Sequence, residues 1–124
     1  MDVRERYILM SYKAKEIQRL WSPQIGDFYY LPPDEIKVWG CDEAADLSDL
    51  EKIWLPRQDQ LQEIVLHPAL NTAELPRMVL KFNENAEYWY SFDSFEQLWL
   101  AFLMYENFKK IWDEKREEWV KIEQ

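Results

Sequence analysis

The side chains best suited to chemistry are few in this chain. Cys41 is the only thiol and His67 the only imidazole among 124 residues. A nucleophile needs a base within reach, and that base is most often a histidine. Cys41 closes a strand-like run ahead of an acidic stretch, and His67 precedes Pro68 at the end of a helix-like run, where a cation suits the helix dipole. Neither context is that of a catalytic pair. The expectation is a small half-buried thiol and a helix-terminal imidazole. One Cys and one His also leave a zinc site of such ligands two short and exclude a disulfide framework.

Carboxylates are plentiful, 24 in all. Asp42, Glu43, Asp46, Asp49 and Glu51 crowd into one run without a base. A calcium loop alternates its acids around a glycine and ends on a bidentate Glu, and this run has neither the glycine nor the spacing. It reads as an exposed acidic connection. No spacing selects a carboxylate pair for acid–base work. Gly26 and Gly40 are the only glycines, which excludes a glycine-rich phosphate loop. No metal and no cofactor is expected.

Recognition chemistry is better represented. The segment Trp54-Leu-Pro-Arg-Gln-Asp-Gln-Leu-Gln-Glu63 sets Arg57, Asp59 and the amides of Gln58, Gln60 and Gln62 around the first turns of a helix. Such bidentate donors and acceptors can fix a partner loop. The plainer alternative is that they brace the acidic run that precedes them. Seven tryptophans add a stacking option. Trp21, Trp99 and Trp112 fall on apolar helical stripes and Trp39 on a strand, which assigns them to the core. Trp54 and Trp89 are the expected exposed anchors, so the candidate binding set is Trp54, Arg57, Gln58, Asp59 and Gln62.

The elements that must position these residues follow from periodicity. Tyr7, Met10, Ala14, Ile17 and Trp21, with Ile8 and Leu20 beside them, predict a helix over 3–21 that Pro23 and Gly26 end. Phe28-Tyr-Tyr-Leu31 and Ile36-Lys-Val-Trp39 around Pro32-Pro33-Asp34 predict an antiparallel hairpin. Pro56 suits a first helical position, and Leu61, Ile64 and Val65 carry that helix to about residue 66. Residues 69–90 fit a helix through Leu75, Met78, Val79 and Phe82, the reading adopted, and also a hairpin around Asn83-Glu84-Asn85. Ser94-Phe-Glu-Gln97 is a capping box, and Phe95, Leu98, Phe102, Tyr105 and Trp112 predict a helix over 95–112. Its middle, Leu98 to Tyr105, is apolar on all sides, so it needs cover on every face.

Composition bounds the whole. With 48% apolar residues the chain can build one core, and the expected fold is an α+β single domain, a small helical domain around the central C-terminal helix with a short antiparallel sheet. No stretch approaches 18 apolar residues and the N-terminus is no signal peptide, so a soluble intracellular protein without membrane contact is expected. Net charge is −9, concentrated in residues 26–56 and 82–124. Such a balance disfavours direct binding of nucleic acid.

Three blocks carry a resemblance. Glu16-Ile-Gln-Arg-Leu-Trp21 with Pro23 and Gly26-Asp27, the segment from Trp54 to Glu63, and Phe95-Glu-Gln-Leu-Trp-Leu-Ala-Phe102 with Trp112 together resemble a family of small uncharacterised proteins of bacteriophages and prophages of Firmicutes. The resemblance covers about three-quarters of the chain; residues 67–90 match it poorly. It implies a phage-associated protein in the host cytoplasm and brings no catalytic residue. The functional expectation is a non-enzymatic protein that binds a host or phage protein. The alternatives are an acidic inhibitor imitating DNA and a small enzyme with an unlocated carboxylate site. A homodimer is a further expectation, with Leu100, Met104 and Ile111 near the shared surface because they lie opposite Leu98 and Phe102.

Overall fold

The computed structural model of the chain describes residues 1–40, 51–66 and 86–122. Within them the order is α1 (Glu5–Lys13), α2 (Lys15–Gln18), β1 (Phe28–Leu31), β2 (Glu35–Val38), β3 (Ile53–Leu55), α3 (Gln58–Leu66), α4 (Ala86–Tyr90), α5 (Phe95–Phe108), β4 (Lys110–Asp113) and β5 (Glu118–Lys121). The protein is an α+β fold, with two antiparallel sheets among the described residues.

The first helix is interrupted where the sequence predicts continuity over 3–21. Ala14 adopts φ −82° and ψ 70°, and its N–H bonds back to the carbonyls of Met10 and Ser11. The apolar stripe survives the break: Tyr7, Met10, Ala14 and Ile17 are all buried. Gln18 fills in at the break, its Nε2 donating to the Ser11 carbonyl at 3.0 Å, and the Trp119 indole of β5 donates to the neighbouring Met10 carbonyl at 3.0 Å. Leu20, expected beside this stripe, is exposed.

The predicted hairpin is present, with Phe28 opposite Val38 and Leu31 opposite Glu35. The Pro32–Pro33 bond in its turn is cis. A strand the sequence reading did not separate, β3, pairs antiparallel with the other side of β1, setting Tyr29 opposite Trp54 and making the sheet order β2-β1-β3. Pro56 follows this strand and the helix opens at Gln58, two residues later than expected, with the Gln60 side chain accepting from the Arg57 N–H at 2.8 Å.

The α5 helix begins at the predicted cap, with Ser94 Oγ accepting from the Gln97 N–H at 3.1 Å, while the Gln97 side chain reaches one residue further back and accepts from the Asp93 N–H at 3.0 Å. It stops at Phe108, not 112. Lys109 takes the left-handed conformation at φ 56° and ψ 46° and turns the chain into β4. Trp112 therefore lies on a strand, opposite Trp119 of β5, with ring centroids 5.1 Å apart. The four-residue turn between them is held by Asp113, whose carboxylate accepts from the Lys115 and Arg116 N–H groups.

The core joins the α1–α2 stripe and β3 to Leu61, Trp89, the run Leu100 to Met104, Trp112 and Trp119. The central role of α5 is confirmed: α3, α1 and β4 all pack on it. One expectation fails here. Leu100 and Met104 are fully buried within a single chain, whereas Leu98 is only half-buried, so those two residues cannot form a surface shared between copies. Phe102 is fully buried as well, so cover by α3, α1 and β4 reaches residues on both of the faces taken as opposite. Most of the acidic run at 42–51, together with Cys41, His67 and the 69–85 part of the segment left open between helix and hairpin, lies outside the described residues; residues 86–90 are helical.

Candidate functional site

Between the turn that follows α2 and the start of α3 lies an open cleft of about 530 Å³. Its architecture begins at Gly26, whose φ of +97° only a residue without Cβ adopts comfortably. That conformation lets the Gly26 N–H reach the Trp39 carbonyl at 2.9 Å, closing the base of the β1–β2 hairpin. The next residue, Asp27, is buried, and both its oxygens are used. Oδ2 accepts from Trp21 Nε1 at 3.0 Å and from the Gln24 N–H at 2.9 Å, while Oδ1 accepts from Gln60 Nε2 at 2.8 Å and Arg57 Nη1 at 3.4 Å. One carboxylate thus ties the post-helical turn to the first turn of α3. Arg57 reinforces the tie by donating to the Gly26 carbonyl at 3.0 Å and, through Nε, to Asp59 at 3.2 Å.

The cleft wall is an indole pair. Trp21 lies parallel to Trp54 with centroids 6.1 Å apart, and Trp39 and Tyr29 meet Trp21 edge-on or tilted. Around this wall stand Leu20, 55% exposed, and Ile25, 71% exposed, with Ile64, Asp59 and Glu63 of α3 facing them.

Of the five sequence-predicted binding residues, Trp54, Arg57 and Asp59 line this cleft, while Gln58 and Gln62 do not. Trp54 is not an exposed anchor but 5% exposed, because it belongs to β3 and Gln18 clasps its backbone. Trp89, the other expected anchor, is 3% exposed and packs against Tyr88, Phe102 and Tyr105. Arg57 braces the Gly26-Asp27 turn. The residues sequence reasoning missed are Asp27, Leu20 and Ile25. The signal for Asp27 is the Gly-Asp pair, which in the sequence serves as a helix end at Gly26 and as part of a resemblance block, with no bracing role for the carboxylate.

A second buried carboxylate, Asp2, organises the start of α5. It accepts from the Arg4 N–H at 2.9 Å, from Arg4 Nε at 3.1 Å, from Gln97 Nε2 at 2.9 Å and from Ser94 Oγ. Burial pushes its carboxyl up, but the bonds from Arg4, Ser94 and Gln97 outweigh that and hold it below the usual carboxylate range. Glu16 follows the same pattern with Lys110 as its partner. A general acid needs the reverse, a carboxyl held above its usual range. Among the described residues no group of three His, Cys, Asp or Glu is placed to hold a metal ion, and no helix is long and apolar enough to cross a membrane.

No family model, curated protein or solved structure matches the chain.

Proposed function

We propose that this chain is a non-enzymatic binding protein, a phage or prophage product acting in the bacterial cytoplasm, that docks a host or phage protein across the cleft between the post-α2 turn and α3. The phage association rests on the sequence resemblance alone. The docking reading rests on one observation: two large aliphatic side chains, Leu20 and Ile25, project into solvent beside the half-buried Trp21 on a rigidly braced rim. Exposed apolar groups gathered at a rim of polar residues mark interaction surfaces. The Asp27 carboxylate, the buried acid of the cleft, accepts from four internal donors, which suits a brace.

The test is affinity capture from host lysate with the wild-type chain and with Leu20→Ser/Ile25→Ser, at low and high salt. Both side chains are exposed, so the variant should fold. The expected result is one protein retained at high salt by the wild type and lost from the variant. Equal capture by both chains overturns the docking reading. Capture of DNA-binding proteins, released steeply as salt rises and indifferent to the two substitutions, supports imitation of a phosphate backbone instead.

A further inference from the structure

The cleft carries enough chemistry to specify the kind of segment it takes. Three carboxylates, Asp27, Asp59 and Glu63, line it against one guanidinium, Arg57. Arg57 is already engaged by the Gly26 carbonyl, Asp27 and Asp59. Glu63 stands one helical turn beyond Asp59 on the same face of α3, is exposed, and has no ion pair among the described residues. The charge left over at the rim is therefore negative.

A second, independent feature is an unsatisfied donor. The Trp54 indole lines the cleft and is 5% exposed, yet its Nε1–H is buried with no hydrogen-bond partner among the described residues. Its neighbour Trp21 differs, because its Nε1 is bonded to Asp27. Buried donors are almost always paired, so an unpaired one beside a cleft points to an acceptor brought by something else. An anionic acceptor would approach against Asp59 and Glu63. The acceptor that suits the surroundings is neutral, as a peptide carbonyl is, and travels with a cation.

We propose that the cleft binds an extended basic segment of the partner protein. Its lysine or arginine head lies between Asp59 and Glu63, its aliphatic stem lies against Leu20 and Ile25, and a main-chain carbonyl accepts from Trp54 Nε1. The N–H is closed to solvent in the free protein, so its pairing goes with a local rearrangement around Trp54. Long basic side chains suit such a site because their stems cover apolar surface while their heads meet carboxylates. This assignment rests on the docking reading above.

The experiment is a titration of the ¹⁵N-labelled full chain with two probe peptides, Ac-Leu-Arg-Leu-NH₂ and Ac-Leu-Glu-Leu-NH₂, following the indole N–H signals, with Trp54→Phe identifying the Trp54 signal. The expected result is a saturable shift of the Trp54 signal with the arginine peptide, in the range of about 1 mM that so short a probe reaches, and none with the glutamate peptide. Asp59→Asn/Glu63→Gln, two exposed substitutions, should weaken it about tenfold. Equal shifts from both peptides, no shift of the Trp54 signal, or unchanged affinity in the acid variant overturns the assignment. Captured partner lost from Leu20→Ser/Ile25→Ser but kept by the acid variant leaves docking standing and removes the basic segment. Loss from neither variant removes both.

Discussion

Asp2 and Asp27 show how single carboxylates organise this molecule. Each is buried and each accepts at least four hydrogen bonds, and each joins a local partner to a distant one: Asp2 takes Arg4 and also Gln97, 95 residues away, and Asp27 takes Gln24 and also Gln60, 33 away. No local pattern announces such a role, and the sequence reading accordingly passed over both. Because the Asp2 carboxyl is held below its ordinary value, the folded state binds its proton less tightly than the unfolded chain does. Its stabilisation is therefore complete above the unfolded carboxylate pKa of about 3.9 and is lost as pH falls through the lower folded value. Urea melts should show stability falling below about pH 4, with Asp2→Asn costing about 1–3 kcal/mol at pH 6 and much less at pH 2 to 3. An acid limb of the same depth in the variant would show that Asp2 is not the group responsible. Glu16, held down by Lys110, adds to the same limb in both proteins and is the reason the variant's profile should flatten without becoming level.

Between residues and fold lie the joints of the elements, and these divide the legible from the illegible. The amphipathic stripe, the Pro-Pro hairpin and the capping box could be read because the signal and the structure it causes occupy the same few residues. The end of α5 could not. Helix ends are commonly marked by glycine, whereas here Lys109 takes the left-handed turn, and the N–H of Ile122, just after β5, bonds to its carbonyl at 2.8 Å. Tertiary pairing of β4 with β5 therefore decides an end that local propensity would have placed later. The third strand was missed for a related reason: Ile53–Leu55 is too short to show alternation and is buried throughout. Its outer edge is closed by a side chain. Gln18 donates to the Trp54 carbonyl at 2.9 Å and accepts from the Trp54 N–H at 2.9 Å, as a neighbouring strand would. Gln18→Ala strands both groups and should cost about 2–3 kcal/mol, with faster hydrogen exchange at the Trp54 amide. Unchanged exchange there would mean that the edge does not depend on Gln18.

The sequence posed a question about the whole molecule: a helix apolar on every side from Leu98 to Tyr105 needs either a core on all sides or a second copy. In the fold, α3, α1 and β4 pack on this helix, and Leu100, Ala101, Phe102, Leu103 and Met104 are all fully buried in one chain. Part of that cover is β4, a strand for which a helix carried to residue 112 leaves no room. The two solutions respond oppositely to a charge at Leu100. At a surface shared between copies, Leu100→Asp would release a folded monomer of 15.2 kDa. In a core, it removes the apolar contacts whose loss alone costs about 2–5 kcal/mol in a Leu→Ala change and adds a buried, unpaired carboxylate, against a total stability of about 5–15 kcal/mol. The expected outcome is loss of the cooperative thermal transition and of near-ultraviolet circular dichroism from the packed tryptophans. Phe95→Asp, at a position 66% exposed on the same helix, should melt within about 1 kcal/mol of the wild type. A Leu100→Asp chain that stays folded, with light scattering giving the mass of one copy where the wild type gives two, would return the helix to the interface and reject the core described for it.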